Sequence, residues 1–275
     1  MSPTHTARPV PEPDWASRLG LGAWTDLSVN VLSGSQVEDR GDHLVLRTPD
    51  NPTYRWGNCL MALDDPDDAE RWLAAFDAAF PQADHVAIGL PSSPTTDVWA
   101  EHGLELSLED VLVSDHAPAP VPAPEGLTIA PLTSDADWDQ VVDLFDAENQ
   151  RTREFPQPGH REFLARRGTA RRSLVTSGQA HFLGAWRRDR LVGHVGIVNC
   201  GQVARYQSVL VDADERRRGL AAHLVTACGA WAAEQGRHQQ VIMAEAEAPA
   251  GRLYRRLGFT LSAPLAGVER FGRTT

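Results

Sequence analysis

Residues 206–225 read Tyr-Gln-Ser-Val-Leu-Val-Asp-Ala-Asp-Glu-Arg-Arg-Arg-Gly-Leu-Ala-Ala-His-Leu-Val and combine three patterns. An apolar run predicts a strand, a charged segment closing on Gly219 predicts a turn, and the apolar spacing that follows predicts an amphipathic helix. Glycine tolerates backbone conformations that other residues resist, and it keeps side-chain bulk away from a ligand on the backbone. The first amides of a helix lack partners within it and favour an anion. The stretch therefore predicts a loop that binds phosphate or pyrophosphate.

The same loop carries a recognisable motif. Arg216-x-x-Gly219-x-Ala221 resembles the Q/R-x-x-G-x-G/A signature of the GNAT N-acetyltransferase superfamily. Downstream, the strand-like segment 240–245 is followed by Leu-Tyr-Arg-Arg-Leu-Gly-Phe at 253–259, which is similar to the L-Y-x-x-x-G-F ending of that family. Two motifs in the family's order make the resemblance more specific than either motif alone.

The resemblance covers about residues 126–270, where the predicted element order is β-α-α-β-β-β-α-β-α-β. It implies an α/β fold, a mixed α+β sheet, and acetyl-CoA as a co-substrate without a metal. In this family the loop amides hold the pyrophosphate and pantetheine lies along the fourth strand, a form of β-augmentation. The resemblance assigns cofactor binding to Val209, Leu210, Val211, Arg216, Arg217, Arg218, Gly219, Leu220, Ala221, Ala222 and Tyr254.

Acyl transfer to an amine needs a general acid for the thiolate and a base for the amine, because free amines are mostly protonated at neutral pH. By resemblance, Tyr254 is the candidate acid, although packing against Phe259 is an alternative role for it. Glu245, at the end of its predicted strand, ranks first as the base, and Glu247 second. His194 is a further candidate, but a histidine on a half-buried strand is more often structural.

Composition narrows the function classes. All 26 basic residues are arginine, which excludes a Walker-type lysine and a Schiff-base lysine. Residues 1–120 hold 6 Arg against 20 Asp and Glu, whereas residues 121–275 hold 20 Arg against 17 acids, within a net charge of −11. A basic C-terminal half suits a polyphosphate ligand, and the acidic remainder disfavours nucleic acid as a partner.

The cysteines and the apolar pattern bear on the compartment. The three cysteines are widely separated without metal-ligand spacing, so we expect reduced core thiols. No run of about 18 apolar residues predicts a membrane span, and the N-terminus lacks an apolar signal core. We therefore expect a cytoplasmic protein without a membrane partner.

The two halves of the chain resemble each other. Residues 85–90 superpose on 240–245, and residues 99–104 on 254–259, both at an offset of 155. The first half is shorter where the arginine-rich loop stands in the second. The pattern favours a duplicated GNAT-like unit that has lost its pyrophosphate loop, against coincidence between similar strand-helix-strand units.

We therefore expect two GNAT-like domains in tandem, of which the C-terminal one is complete. The predicted organisation is a flexible tail at 1–13, a degenerate GNAT-like domain at 14–116, a Pro-rich linker at 117–125 and the acetyl-CoA-binding domain at 126–275. The predicted strands are 43–48, 56–63, 85–90, 104–114, 126–133, 181–186, 190–198, 205–211 and 240–245, and the predicted helices are 67–80, about 98–99, 137–149 and about 158–172, with helical or irregular structure at 14–32.

The predicted activity is transfer of an acetyl group from acetyl-CoA to a primary amine by direct transfer. The acidic first half points weakly to a cationic small molecule or peptide as the acceptor, although solubility explains the same charge. The alternative is an acyl-CoA-binding sensor without turnover. Aminoacyl transfer from tRNA, known for tandem GNAT folds, fits poorly with the acidic half. Monomer and homodimer both remain open.

Overall fold

The computed structural model describes residues 15–153, 155 and 159–272. The predicted tail lies outside these residues. The N-terminal half contains α1 (Leu21–Leu32), β1 (Gln36–Asp39), β2 (His43–Arg47), β3 (Cys59–Ala62), α2 (Ala69–Ala79), β4 (His85–Leu90), α3 (Val98–Glu101) and β5 (Glu105–Ser114). The C-terminal half contains β6 (Thr128–Pro131), α4 (Asp135–Thr152), α5 (His160–Thr176), β7 (Ala180–Arg187), β8 (Arg190–Cys200), β9 (Val203–Val211), α6 (Leu220–Glu234), β10 (Gln239–Glu245), α7 (Pro249–Arg256) and β11 (Thr260–Phe271).

Local signals explain several helix starts. The Ser134 hydroxyl accepts the Asp137 amide at 3.1 Å, and the Asp137 carboxylate accepts the Ser134 amide at 2.8 Å, which forms a capping box for α4. The Asp68 side chain caps α2, and Pro249 occupies the first turn of α7. Caps and apolar spacing therefore place these helices.

The predicted element order of the C-terminal half is confirmed. Two differences concern boundaries, and a third is a strand that was not predicted. β3 starts at Cys59 instead of Trp56, because residues 55–57 form a 3-10 turn. α5 continues to Thr176, while its predicted start at Pro158 lies outside the described residues. β1 was not predicted, since Gln-Val-Glu-Asp offers a single apolar residue.

All eleven strands join one sheet in the order β1-β2-β3-β4-β11-β5-β10-β9-β8-β7-β6. The last strand of each half pairs with the other half: β5 runs antiparallel to β10, and β11 runs antiparallel to β4. β5 and β11 also pair with each other at the centre of the sheet. The exchanged strands, β5 and β11, directly follow residues 99–104 and 254–259, which the offset of 155 superposes, and the two halves share one continuous sheet.

Helices cover both faces of the sheet. The buried clusters place α1 and α4 with the C-terminal end of α5 on one face, called here the α1 face, and α2, α3, α6 and α7 on the other. Each half's core includes an exchanged strand, because Ala266 and Val268 of β11 pack with Trp72 of α2, and Leu112 of β5 packs with Tyr254 of α7. The two cores therefore depend on each other.

The Pro-rich segment between the halves is anchored rather than free. The Val121 carbonyl oxygen accepts from the His223 ring at 2.6 Å, and the Val121 amide donates to the Thr226 hydroxyl at 3.3 Å. Both contacts join it to α6. The three cysteines are free and buried. Across the described ranges, no helix has the length and apolar character needed to cross a membrane.

Candidate active site

The two central parallel strands of the C-terminal half part from each other. β9 and β10 pair only between residues 203–205 and 239–241, although both strands continue. The Asp212 amide donates to the Val192 carbonyl at 2.9 Å, and His194 stands opposite Leu210 in the β8–β9 register. By antiparallel alternation, the Leu210 main chain therefore bonds to β8, while the main-chain groups of Val209 and Val211 face the opening.

A bulge lies at the mouth of this opening. The β8–β9 register shifts between His194 and Gly196, and Ser208 has a φ of 55°. A positive φ is uncommon for a residue other than glycine and marks local strain. The bulge bends β9, and it lies just beyond Arg205, where the pairing of β9 with β10 ends.

The predicted anion loop lies at the end of β9. Gly219 has a φ of 86° in the left-handed region and immediately precedes Leu220, the first residue of α6. In the first hydrogen bond of the helix, the His223 amide donates to the Gly219 carbonyl at 3.0 Å. The amides of Leu220, Ala221 and Ala222 therefore have no partner within the helix. These three donors at a positive helix end fit a pyrophosphate.

The three arginines of the loop have different surroundings. Arg216 donates to the Val211 carbonyl at 2.9 Å and forms an ion pair with Glu148 at 2.8 Å. Arg218 pairs with Glu215 at 3.2 Å. Among the described residues no carboxylate pairs with Arg217, which is exposed with a φ of 61°. Hydrogen bonds from Arg151 and Arg216 lower the pKa of Glu148 to about 2, so Glu148 is ionised and holds Arg216 in the loop.

A cavity of about 1230 Å³ connects the opening to the α1 face and is lined by both halves. Tyr254 reaches it from α7 and is only 4% exposed. Burial raises the pKa of the Tyr254 phenol to about 12, so the hydroxyl stays protonated at neutral pH and is available as a donor. The predicted acid thus lines the same cavity as residues 205–210 of β9.

The three base candidates fall in different places. Glu245 ends β10 and lines the cavity. Glu247 is exposed on the turn after β10 with a φ of 64° and is not part of the cavity wall. His194 is fully buried and stacks on Phe182 at 5.8 Å, and burial, reinforced by Arg171, lowers its pKa to about 3. Of these three side chains, the structure brings only Glu245 together with Tyr254.

Glu109, on the exchanged strand β5, also lines the site and is not among the residues predicted from the sequence. It stands directly opposite Glu245 in the β5–β10 register and lines the same cavity. Burial raises the pKa of the Glu109 carboxyl to about 7, and the negative charges of Asp26 and Glu245 add to the effect. A carboxyl with this pKa is suited to accept a proton near neutral pH. No local motif marks Glu109, because its position at the site depends on the strand exchange.

A buried ion pair joins the halves beside this carboxyl. Arg205 of β9 is 8% exposed and binds Asp26 of α1 at 2.8 Å. Its positive charge opposes the pKa increase of both Glu109 and Tyr254. The carboxyl, the phenol and the guanidinium therefore belong to one electrostatic cluster to which both halves contribute.

Comparison with known proteins identifies the family. Residues 150–268 match the model of the acetyltransferase (GNAT) domain. No curated protein matches the sequence. The solved structures with a similar fold include a GCN5-related N-acetyltransferase from Kribbella flavida, with 17% identity, a TM-score of 0.65 and coverage of 92% of this chain and 97% of that one. A functionally unknown conserved protein from Staphylococcus epidermidis has 13% identity, a TM-score of 0.67 and coverage of 87% and 95%, respectively.

The tandem arrangement has a solved counterpart. A tandem GNAT protein from the clavulanic acid biosynthesis pathway has 15% identity and a TM-score of 0.54, and the alignment covers 95% of each chain. The family match applies to the C-terminal half, and the similarity to the solved tandem structure concerns the fold of the whole chain. Residues 150–268 therefore form a GNAT acetyltransferase domain, and the chain has the tandem form of the GNAT fold.

Proposed function

We propose that this protein transfers an acetyl group from acetyl-CoA to a primary amine by direct transfer. The observation that carries the proposal is the opening between β9 and β10: the anion loop at Gly219 follows the end of β9, and the cavity at the opening is lined by Tyr254, Glu109 and Glu245. The family match supports acyl transfer from an acyl-CoA. We propose that the acyl group is acetyl and that the acceptor is a primary amine.

The cofactor-binding residues fall into two groups. The amides of Leu220, Ala221 and Ala222 would hold the pyrophosphate, with the side chains of Arg216, Arg217 and Arg218 around it. The main-chain groups of Val209 and Val211 would hold pantetheine, and one of these amides would polarise the thioester carbonyl. Leu210 would contribute through its side chain, because its main chain bonds to β8.

The reaction requires attack of a neutral amine on the thioester carbonyl, loss of one amine proton and protonation of the departing thiolate. We assign the first proton to a carboxylate, Glu109 or Glu245, on the α1 face of the sheet. We assign protonation of the sulfur to the Tyr254 hydroxyl on the opposite side of the opening. Acid and base thus act from opposite sides of the parted strands. Glu247 ranks last as the base, because it lies outside the cavity wall.

The N-terminal half would shape the acceptor site. Asp26 and Glu109 come from this half and line the cavity, together with Tyr54 and Arg55. We propose that the N-terminal domain spans residues 14–116 and that residues 117–125 link it to the C-terminal domain. Removing the first half would expose the inner edge of β10, because β5 covers it.

Binding and turnover test the proposal separately. We expect acetyl-CoA to raise the melting temperature, and thioester consumption to depend on an added amine. Tyr254→Phe should lower kcat by about 10²-fold, the lower end of the range for general acid–base catalysis, with little change in acetyl-CoA affinity. Tyr206→Phe is the matched control, because the Tyr206 hydroxyl bonds internally to the Val225 carbonyl at 2.9 Å and to Gln240 at 2.8 Å.

Two results would contradict the proposal. Unchanged turnover in Tyr254→Phe would remove Tyr254 as the acid. Tight acetyl-CoA binding without transfer to any amine would instead favour the sensor function.

A further inference from the structure

Helix α5 directs two arginines into the protein. Arg171 is only 7% exposed and donates a hydrogen bond to the Ser208 hydroxyl at the bulge of β9. Arg167, one turn earlier on the same helix face, packs its guanidinium over the rings of Tyr54 at 5.5 Å and Phe163 at 5.7 Å. A buried cation, Arg171, and a half-buried one, Arg167, therefore lie one turn apart on the same helix.

Their charges lack a protein counter-charge. Within the described ranges, no carboxylate forms an ion pair with Arg167 or Arg171. Burial and the neighbouring Arg167 lower the pKa of Arg171. By contrast Arg205, which is equally buried, has Asp26 as its partner at 2.8 Å. Burying an unpaired cation beside a like charge is costly, so the arrangement calls for an anion from outside the protein.

The two arginines lie beside the proposed reaction centre. Arg167 lines both the main cavity and an adjoining pocket of about 460 Å³, and Arg171 lines the adjoining pocket. Ser208, which Arg171 contacts, lines the main cavity and immediately precedes Val209 at the opening. An anion held here therefore lies on the acceptor side of the parted strands, within reach of the site where an amine would react.

The cavity thus has two regions of opposite charge. Glu109 and Glu245 provide carboxyl groups toward β10, and Arg167 and Arg171 provide guanidinium groups toward α5. We propose that the acceptor carries an anionic group, a carboxylate or a phosphate, in addition to its amine, and that Arg167 and Arg171 bind this group. The inference rests on the proposed function, and it replaces a purely cationic acceptor with a zwitterionic one.

Matched substrate pairs test the inference. Each amino acid of a panel is compared with its amide, and phosphoethanolamine with ethanolamine, at saturating acetyl-CoA. We expect kcat/KM to be about 10- to 100-fold higher for the anionic member, because a hydrogen bond to a charged group contributes about 1.5–3 kcal/mol. The amino acid pairs and the phosphate pair distinguish the two anion sources.

Variants connect the preference to the two arginines. Arg167→Gln and Arg171→Met should lose most of the preference while they still acetylate the neutral member of the pair. Arg161→Gln is the matched control, because Arg161 is exposed on the same helix, pairs with Asp143 at 2.5 Å and lines neither pocket. It should keep the preference unchanged.

A binding measurement separates failure of the inference from failure of the proposed function. N-acetylated amino acids and phosphoethanolamine should raise the melting temperature of the wild type but not of Arg171→Met. Such a shift without turnover of any amine would refute the acetyltransferase and still support the anion site. Equal turnover of anionic and neutral amines, or the absence of both preference and shift, would overturn the inference.

Discussion

Replacing Glu109 by glutamine should lower activity and raise stability at the same time. The carboxyl has a pKa of about 7 against an ordinary value of 4.5, chiefly because burial disfavours its ionised form. In the wild type, kcat/KM should therefore fall below pH 7, where the protonated carboxyl no longer accepts a proton from the amine. In Glu109→Gln this acidic limb should disappear, and the remaining rate should be about 10²- to 10⁴-fold lower.

The stability effect follows from the same shift. Between about pH 4.5 and pH 7 the native state binds the proton more tightly than the unfolded chain, so the free energy of unfolding decreases as pH rises through this window. The full difference between the two pKa values corresponds to about 3 kcal/mol above pH 7. Glu109→Gln should recover much of this free energy of unfolding. Urea denaturation should show the higher stability of the variant at pH 8 and no difference at pH 4.

Glu105→Gln is the matched control, since Glu105 is exposed on the same strand. It should change neither the rate nor the stability. Glu245→Gln tests the competing base. If Glu109→Gln keeps the acidic limb while Glu245→Gln loses it, the proton acceptor is Glu245 and not Glu109.

Three other substitutions test the fold around the site. Asp26→Asn should lower the free energy of unfolding by about 2 kcal/mol because it leaves Arg205 buried without its counter-charge, and adding Arg205→Met should restore stability in chemical denaturation. Gly196→Ala should cost about 1–3 kcal/mol, since the added methyl overlaps the Phe182 ring, and a lowered melting temperature would show it. The His194 imidazole has a pKa of about 3, below its ordinary value of 6.5, so its contribution to stability is present above pH 6.5 and is lost as pH falls. His194→Leu should therefore make the free energy of unfolding less sensitive to acid between pH 6.5 and pH 4. An unchanged acid profile would contradict this expectation.

The local parts of the site could be predicted from the sequence. Gly219 adopts the left-handed conformation at the start of α6, as expected for a glycine that opens a helix after a charged turn. The offset of 155 superposes residues 85–90 on residues 240–245, and both segments are strands, β4 and β10. These features depend on residues close together in the chain, so their sequence patterns can be recognised without knowing which segments pair in the fold.

The strand exchange could not be predicted in this way. Apolar periodicity shows that residues 105–114 form a strand, but it does not say which strand lies beside them. The position of Glu109 opposite Glu245 depends on pairing across more than 130 residues, and so does its altered pKa. The buried Arg171 and the half-buried Arg167 could not be singled out for a related reason: α5 contains many arginines, and only the packing distinguishes these two from exposed neighbours such as Arg166.

A crystal structure of the full chain with acetyl-CoA is the most direct test of the central claim. We predict the pyrophosphate on the amides of residues 220–222 and the thioester between the main chain of Val209 and the Tyr254 hydroxyl. The N-terminal half offers a second pair of parallel strands, β3 and β4, which pair at Leu60 and Met61. Acetyl-CoA bound between β3 and β4, with the opening between β9 and β10 free, would contradict the account.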